Sequence, residues 1–203
     1  MKERNTKIWT ALDLEMNQPS GKIIQIGAVK FNIETKEVYA SFNQLVCIDE
    51  PLCTDIKICD IPALTGITEE RLLQFGIPLT EAYEQMAIFH KAPVMIGEEQ
   101  HSGMVNPVVW GGDDARCLKQ ELLDNGYKFD PKDYFCFGNR IFDIKSFHQW
   151  ISMANGMPFA GGLSRSMAKW KVNFRGRKHD AEADAYNTAM LACSVFKSLQ
   201  GTV

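Results

Sequence analysis

The stretch Thr10-Ala11-Leu12-Asp13-Leu14-Glu15 constrains this chain more than any other, because it sets two carboxylates inside an apolar segment. Successive side chains of a strand point to opposite faces, so Leu12 and Leu14 share one face while Ala11, Asp13 and Glu15 share the other. Two acids side by side in a partly buried strand repel one another and lose hydration, at a cost of several kcal/mol per ion. A positive partner makes the arrangement tolerable, and a divalent cation is the simplest one.

The remaining composition leaves room for that reading. A chain of 203 residues, 45% hydrophobic and 23% charged, has the make-up of a soluble protein that buries a large core, and a single domain over residues 1–203 is expected. No apolar run approaches the roughly 20 residues of a membrane span, and Met1-Lys2-Glu3-Arg4 leads into polar residues rather than a signal-peptide core. No membrane partner is expected, and the expected location is cytoplasmic. The cysteines at 47, 53, 59, 117, 136 and 193 form no Cys-x-x-Cys pair, which points to buried, reduced thiols rather than a zinc knuckle or redox motif. The formal charge of −3 excludes a protein that coats nucleic acid by bulk electrostatics.

Along the chain, Lys7 to Met16, Ile23 to Phe31 and Val38 to Val46 read as three antiparallel strands, with turns at Pro19-Ser20-Gly21 and Asn32 to Lys36 and the third strand at the edge. Pro62 to Thr68 reads as a helical turn leading into a capped start at Thr68. Leu72, Leu73 and Phe75, then Leu79, Ala82, Tyr83, Met86, Ala87 and Phe89, recur at helical spacing. Lys91 to Asn106 mixes Gly, Pro, His and acids and reads as an irregular loop. Pro107 to Trp110 is then a short buried strand, and Ala115 to Asn125 a helix stopped by Gly126. Tyr134 to Phe137 follows as a strand, and Ile144, Phe147, Trp150 and Ile151 mark the apolar stripe of a further helix. The order β-β-β-α-β-α-β-α is the ribonuclease-H-like arrangement: an α/β fold with a mixed five-stranded sheet flanked by helices.

The last helix holds a second anomaly. Ala181, Ala185, Thr188, Ala189, Ala192, Phe196 and Leu199 form one stripe, and Asp184, three residues after Ala181 and four before Thr188, lies on its core-facing side. His179 precedes Asp180, a natural N-cap, so its imidazole stands at the helix entrance where it reaches solvent. A solitary inward Asp is usually a hydrogen-bonded structural acid; with Asp13 and Glu15 in the same chain, a shared cation site is the better reading.

Three segments carry a family resemblance: Ala11-Leu12-Asp13-Leu14-Glu15, Trp110-Gly111-Gly112-Asp113-Asp114, and Gly176-Arg177-Lys178-His179-Asp180 through Asp184 to Thr188. In that order, with His-x4-Asp in the last, they resemble the three exonuclease motifs of the DnaQ-like 3′–5′ exonucleases of the DEDDh type. Within that superfamily the chain is most similar to the subgroup of small-RNA-suppressing and histone-mRNA 3′ exonucleases, through Leu64-Thr65-Gly66-Ile67-Thr68 and Gly162-Leu163-Ser164. The likeness runs from Lys7 to about Phe196.

The resemblance implies Asp13, Glu15, Asp114 and Asp184 as ligands of two Mg²⁺ or Mn²⁺ ions and His179 as general base. Two such ions about 3.5–4 Å apart clamp a scissile phosphate, and hard cations favour an all-carboxylate site. Asp13 would bridge the ions, Glu15 and Asp184 would serve the nucleophile side, and Asp114 the second ion. His179 would take the proton of the attacking water, and the product would be a nucleoside 5′-monophosphate. Asn139-Arg140-Ile141-Phe142-Asp143 imitates the second motif of proofreading relatives, yet the interval from Asp143 to His179 is short for the elements threaded there. Asp143 reads instead as a helix cap. Asp113 rivals Asp114 as the ligand; the resemblance favours Asp114, four residues after Trp110 and four before Leu118.

By the same resemblance Met16 and Asn17 approach the terminal nucleotide. The acid-free run from Arg165 to Lys178, with Trp170 and Phe174 interleaved, reads as a solvated basic face or as phosphate contacts, Arg175, Arg177 and Lys178 being nearest His179. His90, His101 and His148 lack ligand spacing and read as surface or helix-end residues, and no Gly-x-Gly-x-x-Gly supports a dinucleotide site. The expected activity is hydrolysis of single-stranded RNA or DNA 3′ ends, RNA favoured. The alternatives are a DNA proofreading or repair exonuclease and a catalytically silent nucleic-acid-binding module of the same fold. No appended RNA-binding segment is evident, which leaves substrate targeting to a protein partner, and either a monomer or a homodimer fits.

Overall fold

Alternation along the first strands sets the architecture. The computed structural model describes residues 4–130, 134–158 and 161–200; Met1-Lys2-Glu3 of the polar leader lie outside the described residues. β1 (Ile8–Met16), β2 (Ile23–Asn32) and β3 (Val38–Leu45) form an antiparallel meander, and α1 (Ile61–Thr65), α2 (Glu69–Phe75) and α3 (Leu79–Lys91) follow. A two-stranded ribbon, β4 (Val94–Ile96) and β5 (Glu99–His101), precedes β6 (Val108–Val109), α4 (Asp114–Asp124) and β7 (Phe142–Asp143). The chain continues through α5 (Ile144–Ala154), α6 (Leu163–Lys169) and the long α7 (Ala181–Gln200).

The main sheet has the order β3-β2-β1-β6-β7, with β1, β6 and β7 parallel. It is the mixed five-stranded, helix-flanked sheet of the ribonuclease-H-like class. Leu12, Leu14, Ile26 and Ala28 pack on one face with Ala82, Met86, Leu118 and Leu122 of α3 and α4. Ala11, Val29 and Phe31 pack on the other with Ala185, Ala189 and Ala192 of α7. Small residues along α7 let it lie close to the sheet, and each large apolar side chain buried in these layers contributes about 1.5–3 kcal/mol. β2 is therefore buried along its whole length, Lys30 included, whose ammonium reaches the carbonyls of Phe89 and Ala92 at the end of α3. β3, at the edge, alternates in exposure.

Capping fixes the helices that follow the meander. Asp60 Oδ1 accepts the N–H of Ala63 at 3.0 Å, Pro62 occupies the first turn, and Gly66 closes α1 at φ 74°. Thr68 caps α2 through the N–H of Arg71, as its position before Glu69 and Glu70 suggests.

Several expectations need correction. Tyr134 to Phe137 is not a strand: the backbone turns there, the Gly138 N–H bonding back to the Phe135 carbonyl, and the fifth strand is β7. Phe135 and Phe137 are buried all the same, in an aromatic cluster with Tyr83 and His90, so burial rather than strand pairing explains the apolar run. Lys91 to Asn106 is not wholly irregular, since it holds the β4–β5 ribbon. α5 buries Ile144, His148 and Ser152, while Phe147 and Trp150 are exposed. His148 is thus no surface residue: it stacks on Trp110 and its Nε2 lies 3.1 Å from the Ser166 hydroxyl. His90 ends α3 but is also buried, between Thr10 and the Val105 carbonyl.

Candidate metal centre

Asp13 and Glu15 lie on the face of β1 that carries Ala11 against α7. Asp114 opens α4 just beyond the end of β6, and Asp184 lies in the first turn of α7. Parallel pairing of β6 with β1, through Ala11 and Val108, carries the start of α4 toward the end of β1.

The electrostatics record how closely these acids meet. Burial holds the Asp13 carboxyl well above its usual range, and repulsion from Asp114, Asp184 and Glu15 adds to it. Burial pushes Glu15 up to about 8, with Asp184, Asp180 and Asp114 adding. Asp114 rises to about 7, chiefly through burial, and Asp184 is raised by burial against the opposing bond from the His179 N–H. The charges that raise Asp13 and Glu15 are the neighbouring carboxylates. Ligand atoms of Glu15, His179 and Asp184 lie within 4.8 Å of one another, and Asp184 Oδ1 is buried without a hydrogen-bond partner. Hard oxygen donors, an orphaned carboxylate oxygen and uncompensated negative charge fit divalent cations such as Mg²⁺ or Mn²⁺.

The start of α7 is held by residues that the sequence did not single out. Gln25 stands opposite Glu15 in the β1–β2 ladder; its Oε1 accepts the Ala181 N–H at 3.1 Å and its Nε2 donates to Asn43 Oδ1 at 2.9 Å. Asn43 in turn donates to Glu182 Oε2. Gly27, opposite Asp13, leaves the space that the backbone of Ala181 and Glu182 fills. Asp180 Oδ1 caps the helix through the Ala183 N–H at 3.0 Å, and His179 stands before it at φ 58°, its N–H donating to Asp184 Oδ2 at 3.0 Å. Holding a non-glycine residue there costs about 1–2 kcal/mol, and the bond to Asp184 offsets part of it. The His179 side chain is exposed.

The other acids separate cleanly. Asp143 caps α5, accepting the Lys145 N–H at 2.9 Å and the Ser146 hydroxyl, and also accepts the Gly111 N–H at 2.7 Å. Its Oδ1 thereby ties β7 to the turn that presents Asp114. Asp113 is exposed, pairs with Arg116 at 2.7 Å and makes no side-chain capping bond. Gly112 gives Asp114 room: a Cβ there would lie 2.6 Å from Asp114 Oδ2.

The proposed nucleotide contacts divide. Met16 is half-buried at the end of β1 and packs on the core, and Lys178 is exposed beside His179. Arg175 lies over the Tyr186 ring at 4.9 Å, its backbone N–H and carbonyl bonded to buried Asn187 of α7. Asn17 is committed elsewhere: its amide donates to Glu50 and to the Pro51 carbonyl and its Oδ1 accepts the Cys53 N–H, which fastens the loop after β3. Arg177 is likewise engaged, with Nη2 2.9 Å from the Ala63 carbonyl and 3.3 Å from that of Leu64 at the end of α1. Local sequence gives no sign of either long-range bond. Gln25 and Gly27 become legible once the ladder register places them opposite Glu15 and Asp13.

No family model and no curated protein sequence matches the chain. Solved structures do. The nuclease domain of 3′hExo, described as a DEDDh family member bound to rAMP, superposes with a TM-score of 0.70 at 18% identity, covering 95% of this chain and 93% of that one. Cell-death related nuclease 4 gives 0.72 at 16% identity, covering 95% of this chain, which spans 64% of that nuclease's length. Exonuclease X in complex with 5′ overhanging duplex DNA gives 0.60 at 15%, covering 94% and 92%. The chain shares its ribonuclease-H-like fold with these nucleases.

Proposed function

We propose that this chain is a single-domain, metal-dependent 3′–5′ exonuclease that removes nucleoside 5′-monophosphates from single-stranded nucleic acid ends, RNA favoured, in the cytoplasm. The observation that carries the proposal is the convergence of Asp13, Glu15, Asp114 and Asp184 from β1, α4 and α7, where burial and mutual repulsion raise the first two. The shared fold supports the same reading. Asp13, Glu15, Asp114 and Asp184 would hold two Mg²⁺ or Mn²⁺ ions. Bound there, the ions would lower the cost of deprotonating a water and neutralise charge on the phosphoryl group.

The chain's own residues supply the rest. Asp13, reached by the fields of all three other acids, would be the central ligand of the set. Glu15 and Asp184 lie beside His179, and Asp114 stands apart at the head of α4. His179, exposed and oriented by its backbone bond to Asp184, takes the proton of the attacking water and passes it to solvent. Met16, Arg175 and Lys178 remain the proposed contacts to the terminal nucleotide, while Asn17 and Arg177 shape the walls behind them. One observation favours a second role for His179: its ring nitrogen lies close enough to Glu15 and Asp184 to ligate a cation with them.

The test is incubation of 5′-labelled RNA and DNA oligomers with the protein in Mg²⁺, Mn²⁺ or excess chelator. A ladder shortening from the 3′ end only with the metals, releasing 5′-monophosphates, is the expected result. Undiminished cleavage in chelator would refute the metal-dependent mechanism. No cleavage of either polymer with any metal would leave the silent binding module as the better reading.

A further inference from the structure

Half of the basic run that the sequence places before His179 is engaged within the fold, while Arg165, Lys171 and Lys178 are exposed. Arg177 holds the end of α1, Arg175 lies on Tyr186, and Lys169 Nζ is buried. Even with divalent ions neutralising its four acids, an active site on a chain of formal charge −3 offers a long polyanion little net attraction, so phosphates beyond the terminal one need cations of their own. A groove of about 230 Å³ between the first turns of α4 and the segment before β7 has them. Arg116, Lys119, Asn139 and Arg140 line it over Phe135, and among the described residues no acidic side chain does.

Its groups differ in availability. Arg116 is paired with Asp113. Lys119 is held loosely, its Nζ 3.4 Å from Asn139 Oδ1 and 5.8 Å from the centre of the Phe135 ring. Arg140 is exposed. The groove begins at Ala115, the residue after Asp114, so it adjoins the acid cluster. Two cations without an acidic partner among the described residues, and an amide, beside an acidic centre suit a chain of phosphodiesters better than a single small anion, because successive phosphates can meet successive donors.

We propose that this groove binds the phosphodiester backbone of a single-stranded nucleic acid on the 5′ side of its terminal nucleotide, with Lys119 and Arg140 as phosphate contacts. The inference rests on the nuclease reading for its direction along the strand, though not for the binding itself. Neither cation touches the scissile group; both would act on affinity for long substrates.

The test compares wild type with Lys119→Gln/Arg140→Gln on oligouridylate and on the dinucleotide uridylyl-uridine. Affinity for labelled oligouridylate is measured in parallel by fluorescence anisotropy without divalent ions. The double variant should show a KM and Kd for the oligomer raised roughly tenfold and a salt dependence of log Kd shallower by about 1.4, the loss of two single-strand phosphate contacts. Its kcat and its hydrolysis of the dinucleotide should be unchanged, which also shows that it folds. Unaltered oligomer Kd and KM would overturn the proposal, as would an equal loss on the dinucleotide. If wild type cleaves neither substrate, the nuclease reading fails while the anisotropy still decides the groove: weaker binding by the double variant sustains it, and equal binding or none by wild type refutes it.

Discussion

Gly27 faces Asp13 across the β1–β2 ladder, and a Cβ at Gly27 would lie 2.0 Å from the carbonyl carbon of Ala181. The first turn of α7 therefore rests on bare backbone beside the acid it serves. Gly27→Ala should displace that turn and carry Asp184 and His179 with it. We expect a loss of about 1–3 kcal/mol in thermal or denaturant unfolding, with nuclease activity reduced beyond what stability explains. Gly161→Ala, where nothing lies within 4 Å, should change stability by less than about 0.5 kcal/mol.

The metal-free protein should lose stability as pH rises. Glu15 is pushed up to about 8 and Asp114 to about 7, both above their unfolded values, so the folded state binds more protons between about pH 4 and pH 8. Unfolding free energy then falls across that window, the buried His90 imidazole, lowered to about 4, opposing part of the fall below its unfolded value. Melting in chelator at pH 5, 6, 7 and 8 should show a falling Tm. A Tm that climbs steadily over the same range would contradict the repulsion among these acids.

Asp113, Asp114 and Asp143 should respond differently to alanine. Asp114→Ala should abolish activity without loss of folding, since it removes one member of a repelling cluster. Asp113→Ala removes only an exposed pair with Arg116 and should cost at most about 0.5 kcal/mol. Asp143→Ala should cost about 1–2 kcal/mol, because the cap of α5 and the bond to Gly111 go together. A well-folded Asp143→Ala variant that is dead, beside an active Asp114→Ala, would exchange their roles.

Replacing His179 separates base from ligand. His179→Ala should lower turnover by roughly 10²–10⁴ while calorimetry still registers cation binding. A loss of cation affinity equal to that of Asp184→Ala would assign the imidazole to the metal instead.

Much of this was legible in the sequence because strand alternation and helical spacing are local. Asp13 and Glu15 announce themselves by standing where apolar residues belong, and Asp184 by lying on the buried stripe of α7. The meander and the capped start at Thr68 follow from equally local rules. What escaped depends on contacts between distant segments. Phe135 and Phe137 look like a strand because they are apolar and alternate, although Tyr83 and His90 bury them without pairing. His148 and Ser152 take the inner face of α5 in place of Phe147 and Trp150 because α6 and Trp110 offer a stacking surface and a hydroxyl. Asn17 and Arg177 look free to meet a nucleotide until the loop after β3 and the end of α1 are seen to use them.

On the proposed function, the four carboxylates meet because cations sit among them. Its most direct test is the Tm of wild type and of Asp13→Asn at pH 8, each titrated with Mg²⁺ from a chelator-treated state. Wild type should start low and rise with ion concentration as binding to the folded state accumulates. Asp13→Asn, relieved of the central charge, should start higher and respond weakly. A wild-type Tm unmoved by saturating Mg²⁺ and Mn²⁺, or an Asp13→Asn variant that gains as much as wild type, would contradict the account.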